Sequence, residues 1–153
     1  MVDILDSVLS GMRYPAGRLH KRLRGDGLVY EVQAYHVPMY GRGYFMIYAL
    51  TDPQNVNRVK RIILRNVNQL KQQLISSREL KESKGQLAFY YEDMRDDLSD
   101  RSMVYGTQVL YGQGLGFLDD KLSKLRNVSS RDVRKAARRF FSAPQVMVFR
   151  PKN

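Results

Sequence analysis

Two neighbouring segments have the composition of β-strands, and they constrain the fold more than any other feature of the sequence. Residues 28–37 read LVYEVQAYHV and residues 43–50 read GYFMIYAL, and both are rich in β-branched and aromatic residues. Between them, PMYGRG supplies proline and glycine for a reversal of about five residues, which predicts an antiparallel hairpin. The second segment is apolar on both faces, which favours a central position in a sheet. The residues predicted to share one side of the first strand are Leu28, Tyr30, Val32 and Ala34.

Helical patterns fill most of the remaining sequence. Short helices are predicted over residues 3–10 and 15–24, because apolar residues recur there at helical spacing and glycine follows each segment. After the hairpin, Asp52 can cap free amide groups and Pro53 can occupy the first helical position of a long helix that ends near residue 75. The later helical segments are predicted to begin near residue 77, to cover residues 99–111, and to lie on either side of Ser129, which caps the last one.

Together these segments predict an α+β fold. The sheet is small and mainly antiparallel, is built from residues 28–37, 43–50 and a last strand at 145–149, and is covered on one face by the helices. A chain of 153 residues can bury a core of its own, and it shows no internal repeat or linker. We therefore expect residues 1–153 to form a single domain.

The chain carries a strong positive charge. It has 26 Lys and Arg residues against 15 Asp and Glu, a net charge of +11. A nucleic acid, an anionic membrane surface or an acidic partner would be attracted to such a charge. The cations are spread over helical segments, however, and no nucleic-acid motif accompanies them, so solvated helix faces explain them better. A basic nucleic-acid-binding domain stays as one alternative.

The sequence offers little for catalysis or metal binding. Cysteine is absent, which excludes disulfides, thiolate metal sites and a cysteine nucleophile. His20 and His36 do not stand in a His-x-x-Glu-His motif or its inversion, so no zinc site is predicted on this chain. The acidic segment 92–100 lacks calcium-loop spacing and is interpreted as a soluble helix junction. Neither a secretory start nor an apolar run of about 18 residues is found, and the compartment stays open.

One turn combines residues that could bind a ligand. The sequence RLRGDGLVYEV, residues 22–32, places Arg24 before a Gly-Asp-Gly turn and Tyr30 just after it. An arginine fork and a tyrosine hydroxyl that converge at the end of a sheet could grip a peptide backbone. The simpler alternative is that Arg24 caps the preceding helix and Tyr30 packs in the core.

The order of these segments resembles the C-terminal, inactive half of the pitrilysin/insulinase-type zinc metallopeptidases. The similarity covers nearly the whole chain. Its most characteristic parts are ILDSVLSGMRYPAGRLHKRLRGDGLVYEVQAYH, then YFMIYALTDPQNVNRVKRIILRNVNQL, SRELKESKGQL and VSSRDVRKAARRFF.

This resemblance implies a division of labour between two parts of a larger assembly. Zinc is carried by a companion catalytic N-terminal half-domain or subunit, and this chain has no cofactor of its own. The resemblance assigns Arg24 and Tyr30 to contacts with the substrate backbone. Because RGDGLVY has one residue fewer between arginine and tyrosine than the usual family spacing, Arg22 is the substitute for Arg24.

The resemblance also implies a strand before the first helix. This chain begins directly in VDILDSVL, so we expect a truncated chain that lacks the first strand of its sheet. The open edge would favour self-association into a homo-oligomer.

The predicted function is therefore that of a noncatalytic, substrate-binding domain of a zinc metallopeptidase, inactive by itself. A structural or docking module, as in family members that have lost proteolysis, is the other alternative beside nucleic-acid binding. The substrate and the oligomeric state are left open.

Overall fold

The computed structural model describes residues 2–12, 14–39, 42–96 and 98–150 of the chain. The strands are β1 (Glu31–Met39) and β2 (Arg42–Leu50). The helices are α1 (Asp3–Ser10), α2 (Gly17–Leu19), α3 (Val56–Gln72), α4 (Ser77–Asp96), α5 (Leu98–Leu110), α6 (Phe117–Arg126) and α7 (Ser130–Phe140). A π-helical turn (His20–Arg24) continues α2, and a 3₁₀ turn (Pro53–Asn55) precedes α3.

The sheet is an antiparallel hairpin covered on one face. β1 and β2 pair in a register that sets Glu31 opposite Leu50 and Met39 opposite Arg42. The inner face packs on the helices, with Val32 fully buried, whereas Tyr44 and Tyr48 on the outer face are exposed. The predicted α+β class, with helices on one side of a small antiparallel sheet, is confirmed.

The structure corrects three details of the predicted sheet. In the described part of the chain, β2 pairs only with β1 and is not central. Its outward residues are half exposed because no second layer covers them. The strands also extend further toward the reversal than predicted, although β1 begins later, at Glu31. Only Tyr40 and Gly41 lie between them, and these two residues are outside the described part of the chain.

The third correction concerns the last strand, predicted at residues 145–149. No helix or strand forms there, and all four of its apolar side chains, from Val146 to Phe149, are about half exposed or more. A strand needs a neighbour for its backbone N–H and C=O groups. No described edge of the sheet pairs with this segment, so strand-like composition alone does not make it a strand.

α1 lies at the centre of the core. Ile4, Leu5, Val8 and Leu9 are each at most 2% exposed, as expected of a short helix that is apolar on its packed side. The helix contacts β1, α2, α4 and α7. It ends at Gly11, whose φ of +76° closes the helix in the left-handed conformation that glycine favours.

The ends of the helices agree with some of the predicted caps and boundaries and differ from others. Ser129 caps α7 as predicted, because its hydroxyl accepts from the Asp132 amide at 3.3 Å and the Asp132 carboxylate accepts from the Ser129 amide at 2.9 Å. The predicted Asp52 cap is wrong, since its side chain caps no helix amide. The predicted helix over 15–24 begins at Gly17 and loosens into the π-helical turn from His20.

In the described ranges, no helix combines the length and the apolar character needed to cross a membrane.

Candidate functional site

Backbone hydrogen bonds fix the Gly25-Asp26-Gly27 turn, which connects the π-helical turn to β1. The Gly27 amide donates to the Arg24 carbonyl at 3.0 Å, and the Leu28 amide donates to the Leu23 carbonyl at 2.8 Å. Gly27 has a φ of +65°, which a residue with a Cβ adopts only with strain. The Thr51 hydroxyl then donates to the Leu28 carbonyl at 2.6 Å, which ties the turn to the end of β2.

Tyr30 lies at the surface and not in the core. It was predicted to lie on the same side of the first strand as Leu28, Val32 and Ala34, but it is 63% exposed while those three are buried. Leu28 and Val29 are buried consecutively, so the alternation of a strand begins only at Glu31. The alternative reading of Tyr30 as a core residue is therefore wrong.

The Tyr30 hydroxyl has a specific partner. It donates to Asp52 Oδ1 at 3.0 Å. This hydrogen bond, together with the negative charge of Asp52, raises the pKa of Tyr30 above its usual value. While the bond is made, the hydroxyl proton points at Asp52, and the lone pairs of the tyrosine oxygen stay open to a donor from solvent or a ligand.

Arg24 is exposed at the end of the π-helical turn. Its side chain makes no hydrogen bond or ion pair with any described residue, so it does not cap the helix. Burial first, and then the charge of Arg24, lower the pKa of His20. His20 is buried with neither ring nitrogen bonded to a described group, and its neutral form is the one that suits this position.

Arg22 faces a different part of the surface. It lies half a helical turn from Arg24 and lines a cleft that also contacts α3 and α4, and neither Arg24 nor Tyr30 lines that cleft. The structure brings Arg24 and Tyr30 to the two ends of one turn, while Arg22 points elsewhere.

Asp52 is the residue of this site whose role the sequence did not reveal. It was interpreted as a helix cap, although the hairpin itself contains the signal. The register pairs Glu31 with Leu50, so the residues just before β1 and just after β2 are neighbours. Tyr30 stands directly before β1 and opposite Thr51, and Asp52 is the next residue along the chain.

Within the described ranges, no group of three or more His, Asp or Glu side chains could hold a metal ion. In the acidic segment 92–100, Glu92 and Asp93 are exposed and Arg95 bonds Asp119 at 2.5 Å. Asp97 lies outside the described residues.

The family of this chain follows from comparison of its sequence with family models. Residues 2–87, more than half of the chain, match the family model of the peptidase M16 inactive domain. The chain therefore belongs to this family, the noncatalytic domain of proteins that resemble zinc proteases, and the predicted pitrilysin-type resemblance is confirmed.

Solved structures show the same fold at low sequence identity. A protease from Helicobacter pylori superposes with a TM-score of 0.80 at 17% identity, covering 92% of this chain and 34% of that one. A chain of complex III from Candida albicans gives 0.74 at 16% identity, with 90% and 34% covered. A candidate zinc protease from Bordetella pertussis gives 0.70 at 16% identity, with 89% and 74% covered.

This chain thus spans about a third of the first two structures. No curated protein sequence matches it significantly.

Proposed function

We propose that this chain is the substrate-binding, noncatalytic domain of a zinc-dependent peptidase. It holds a peptide while a companion domain or subunit cleaves it. The observation that carries the proposal is that Arg24 and Tyr30 are both exposed on either side of a rigid turn, with neither side chain used for capping or for the core. Exposed polar groups held by a rigid backbone are suited to recognition.

In this proposal zinc supplies the hydrolytic chemistry in the companion and is not held by this chain. Membership of the inactive-domain family supports the same division.

The two side chains have complementary roles. The Arg24 guanidinium donates from a planar fork and can hold a peptide carbonyl oxygen. The Tyr30 oxygen, whose proton is directed to Asp52, can accept from a peptide N–H group. One donor and one acceptor on the same turn match the alternating groups of an extended peptide.

The test uses the enzyme reconstituted from this chain and its catalytic half. Arg24→Ala should lower kcat/KM about ten- to hundredfold, because a charge-assisted hydrogen bond is lost. Tyr30→Phe should cost less, because the lost hydroxyl is neutral. Zinc content and the melting temperature should stay unchanged in both variants. If both variants keep full activity, the turn does not bind substrate.

Arg22→Ala serves as the discriminating variant. A loss of activity only in Arg22→Ala would move the role to that residue and overturn the assignment to Arg24.

A docking module is the second candidate function. The fold match with a chain of a complex III assembly favours it, because that neighbour is part of a multi-subunit complex. The discriminating observation is a His-x-x-Glu-His motif in the companion half, together with chelator-sensitive peptide hydrolysis by the assembled protein. Absence of both would support docking over substrate binding.

A further inference from the structure

A second polar surface adjoins the turn of Arg24 and Tyr30, which contributes Asp26 to its lining. A cleft of about 460 Å³ is formed by the α2 segment with its π-helical turn, by α3 and by α4. Its lining combines cations, carboxylates and side-chain amides, whereas the cores beneath these helices are apolar.

Part of the lining is fixed by internal bonds. Arg18 and Glu79 form a two-fold ion pair, with Nε to Oε1 at 2.5 Å and Nη2 to Oε2 at 2.8 Å. Ser7 donates to Gln86 Oε1 at 2.9 Å, which orients the Gln86 amide and leaves its NH₂ group for another acceptor. These bonds hold one side of the cleft in place before any ligand arrives.

Three cations of the lining, Lys21 and two arginines, have no such partner among the described residues. Arg22, from the π-helical turn, and Arg65, from α3, make no hydrogen bond or ion pair with any described residue. Glu82, by contrast, is engaged by Arg78 at 2.7 Å. Two guanidinium groups without a described partner therefore line the cleft, together with Lys21 and the Asp26 carboxylate, for which the described residues provide no partner either.

The amides define what kind of anion fits. Gln69 of α3 and Gln73, which directly follows that helix, line the cleft. With Gln86 they offer both donors and acceptors, as a peptide backbone does. The carboxylates of Asp26, Glu79 and Glu82 in the same lining would repel a polyphosphate or a nucleic-acid backbone. A peptide with one or two carboxylates meets less of this repulsion and can use the amides.

We propose that this cleft binds a peptide segment that carries a carboxylate. Arg22 and Arg65 hold the carboxylate, and Gln69, Gln73 and Gln86 bind neighbouring peptide groups. The inference deepens the proposed function, because it rests on peptide binding and adds a preference for acidic residues, but it uses residues other than Arg24 and Tyr30.

The experiment measures binding to this chain alone, without a catalytic half. A fluorescein-labelled, C-terminally amidated hexapeptide with two adjacent glutamates is compared with its glutamine counterpart by fluorescence anisotropy. The glutamate peptide should bind more tightly. Arg65→Gln and Arg22→Gln should each weaken it by about tenfold or more, as loss of a charge-assisted hydrogen bond does.

The matched control is Arg58→Gln. Arg58 is exposed on the same helix, outside the cleft, and its replacement changes the net charge equally. It should alter the affinity by less than about twofold, since a distant exposed charge is screened. Equal losses in Arg58→Gln and Arg65→Gln would mean general charge attraction and would overturn the site.

Two other results would also overturn the proposal. One is equal binding of the glutamate and glutamine peptides. The other is tighter binding of tripolyphosphate than of the glutamate peptide, abolished by Arg65→Gln, which would make the cleft a phosphate site. This experiment measures binding and not hydrolysis, so a negative result does not contradict the proposed role of Arg24 and Tyr30. Conversely, full activity of Arg24→Ala does not contradict peptide binding in the cleft.

Discussion

Helix α1 and the turn that joins Arg24 to Tyr30 both carry polar side chains, and they use them in opposite ways. In α1, Ser7 and Ser10 are buried and bonded to other parts of the core. In the turn, Arg24 is exposed without a described partner, and Tyr30 keeps one surface bond to Asp52. Groups already satisfied inside the fold specify structure, whereas groups left at the surface of a rigid turn are available to a ligand.

The largest effect is expected where α2 meets α1. An added Cβ at Gly17 would stand 2.7 Å from the carbonyl carbon and oxygen of Leu9, and its φ is +80°. Gly17→Ala should lower the free energy of unfolding by roughly 2–4 kcal/mol, from backbone strain and displacement of the buried helix. Urea denaturation measures the change.

Gly85→Ala is the control for this prediction. A Cβ there meets nothing within 4 Å, and the residue lies inside α4, so we expect stabilisation by about 0.5–1 kcal/mol. If the two variants had the same stability, the close contact between Gly17 and Leu9 would not constrain position 17, and the prediction would be wrong.

The next effect concerns Asp6, the buried carboxyl group of α1. Burial first, and then the nearby Asp3, raise the pKa of Asp6 from 3.8 to about 6, although bonds from Ser10 and the Met12 amide oppose the shift. The folded state thus holds the proton more tightly than the unfolded chain. Asp6 favours folding at low pH, and this contribution is lost as the pH rises through about 6.

Asp6→Asn should therefore raise the free energy of unfolding by about 2–3 kcal/mol at pH 8 and by much less at pH 4.5. A neutral amide can still bond Ser10, whose hydroxyl lies 3.1 Å from the Ala34 carbonyl oxygen. Thermal unfolding at both pH values measures the difference, with the exposed Asp120→Asn as control. An equal gain at both pH values would contradict a titrating Asp6.

The smallest effect is expected at the surface turn. Asp52→Asn removes the charge that raises the pKa of Tyr30, so this pKa should fall toward its ordinary value. The melting temperature should not change measurably, because the pair is exposed. A pH titration by NMR with labelled tyrosine measures the shift, and Tyr30→Phe identifies the signal. An unchanged Tyr30 titration would mean that the Asp52 bond does not persist in solution.

Much of the fold could be predicted because local patterns carry it. The apolar spacing of α1 and the Ser129 cap depend on neighbours in sequence, and the structure confirms both. The strand predicted at residues 145–149 is absent, because a strand must pair with a partner strand that local composition does not reveal. The π-helical turn was missed because an extra residue per turn leaves no clear signature in the apolar pattern.

The site was predictable in outline only. The Gly-Asp-Gly turn indicated that Arg24 and Tyr30 flank one point, but their exposure follows from where β1 begins. Asp52 was interpreted as a helix cap because it precedes Pro53 at a helix start, where aspartate is a favoured capping residue. The hairpin register brings Asp52 close to Tyr30, and the side-chain hydrogen bond between the two residues identifies Tyr30 as its partner.

The position of α1 in the middle of the core also has a consequence for the time course of folding. Ser7 bonds Gln86, 79 residues further along the chain, and Asp3 bonds Lys121, which is 118 residues away. Contacts between such distant segments form slowly, because a long loop must close first. During synthesis α1 would therefore wait for α4 and α6 before it is covered, and its apolar side chains would stay exposed in that interval.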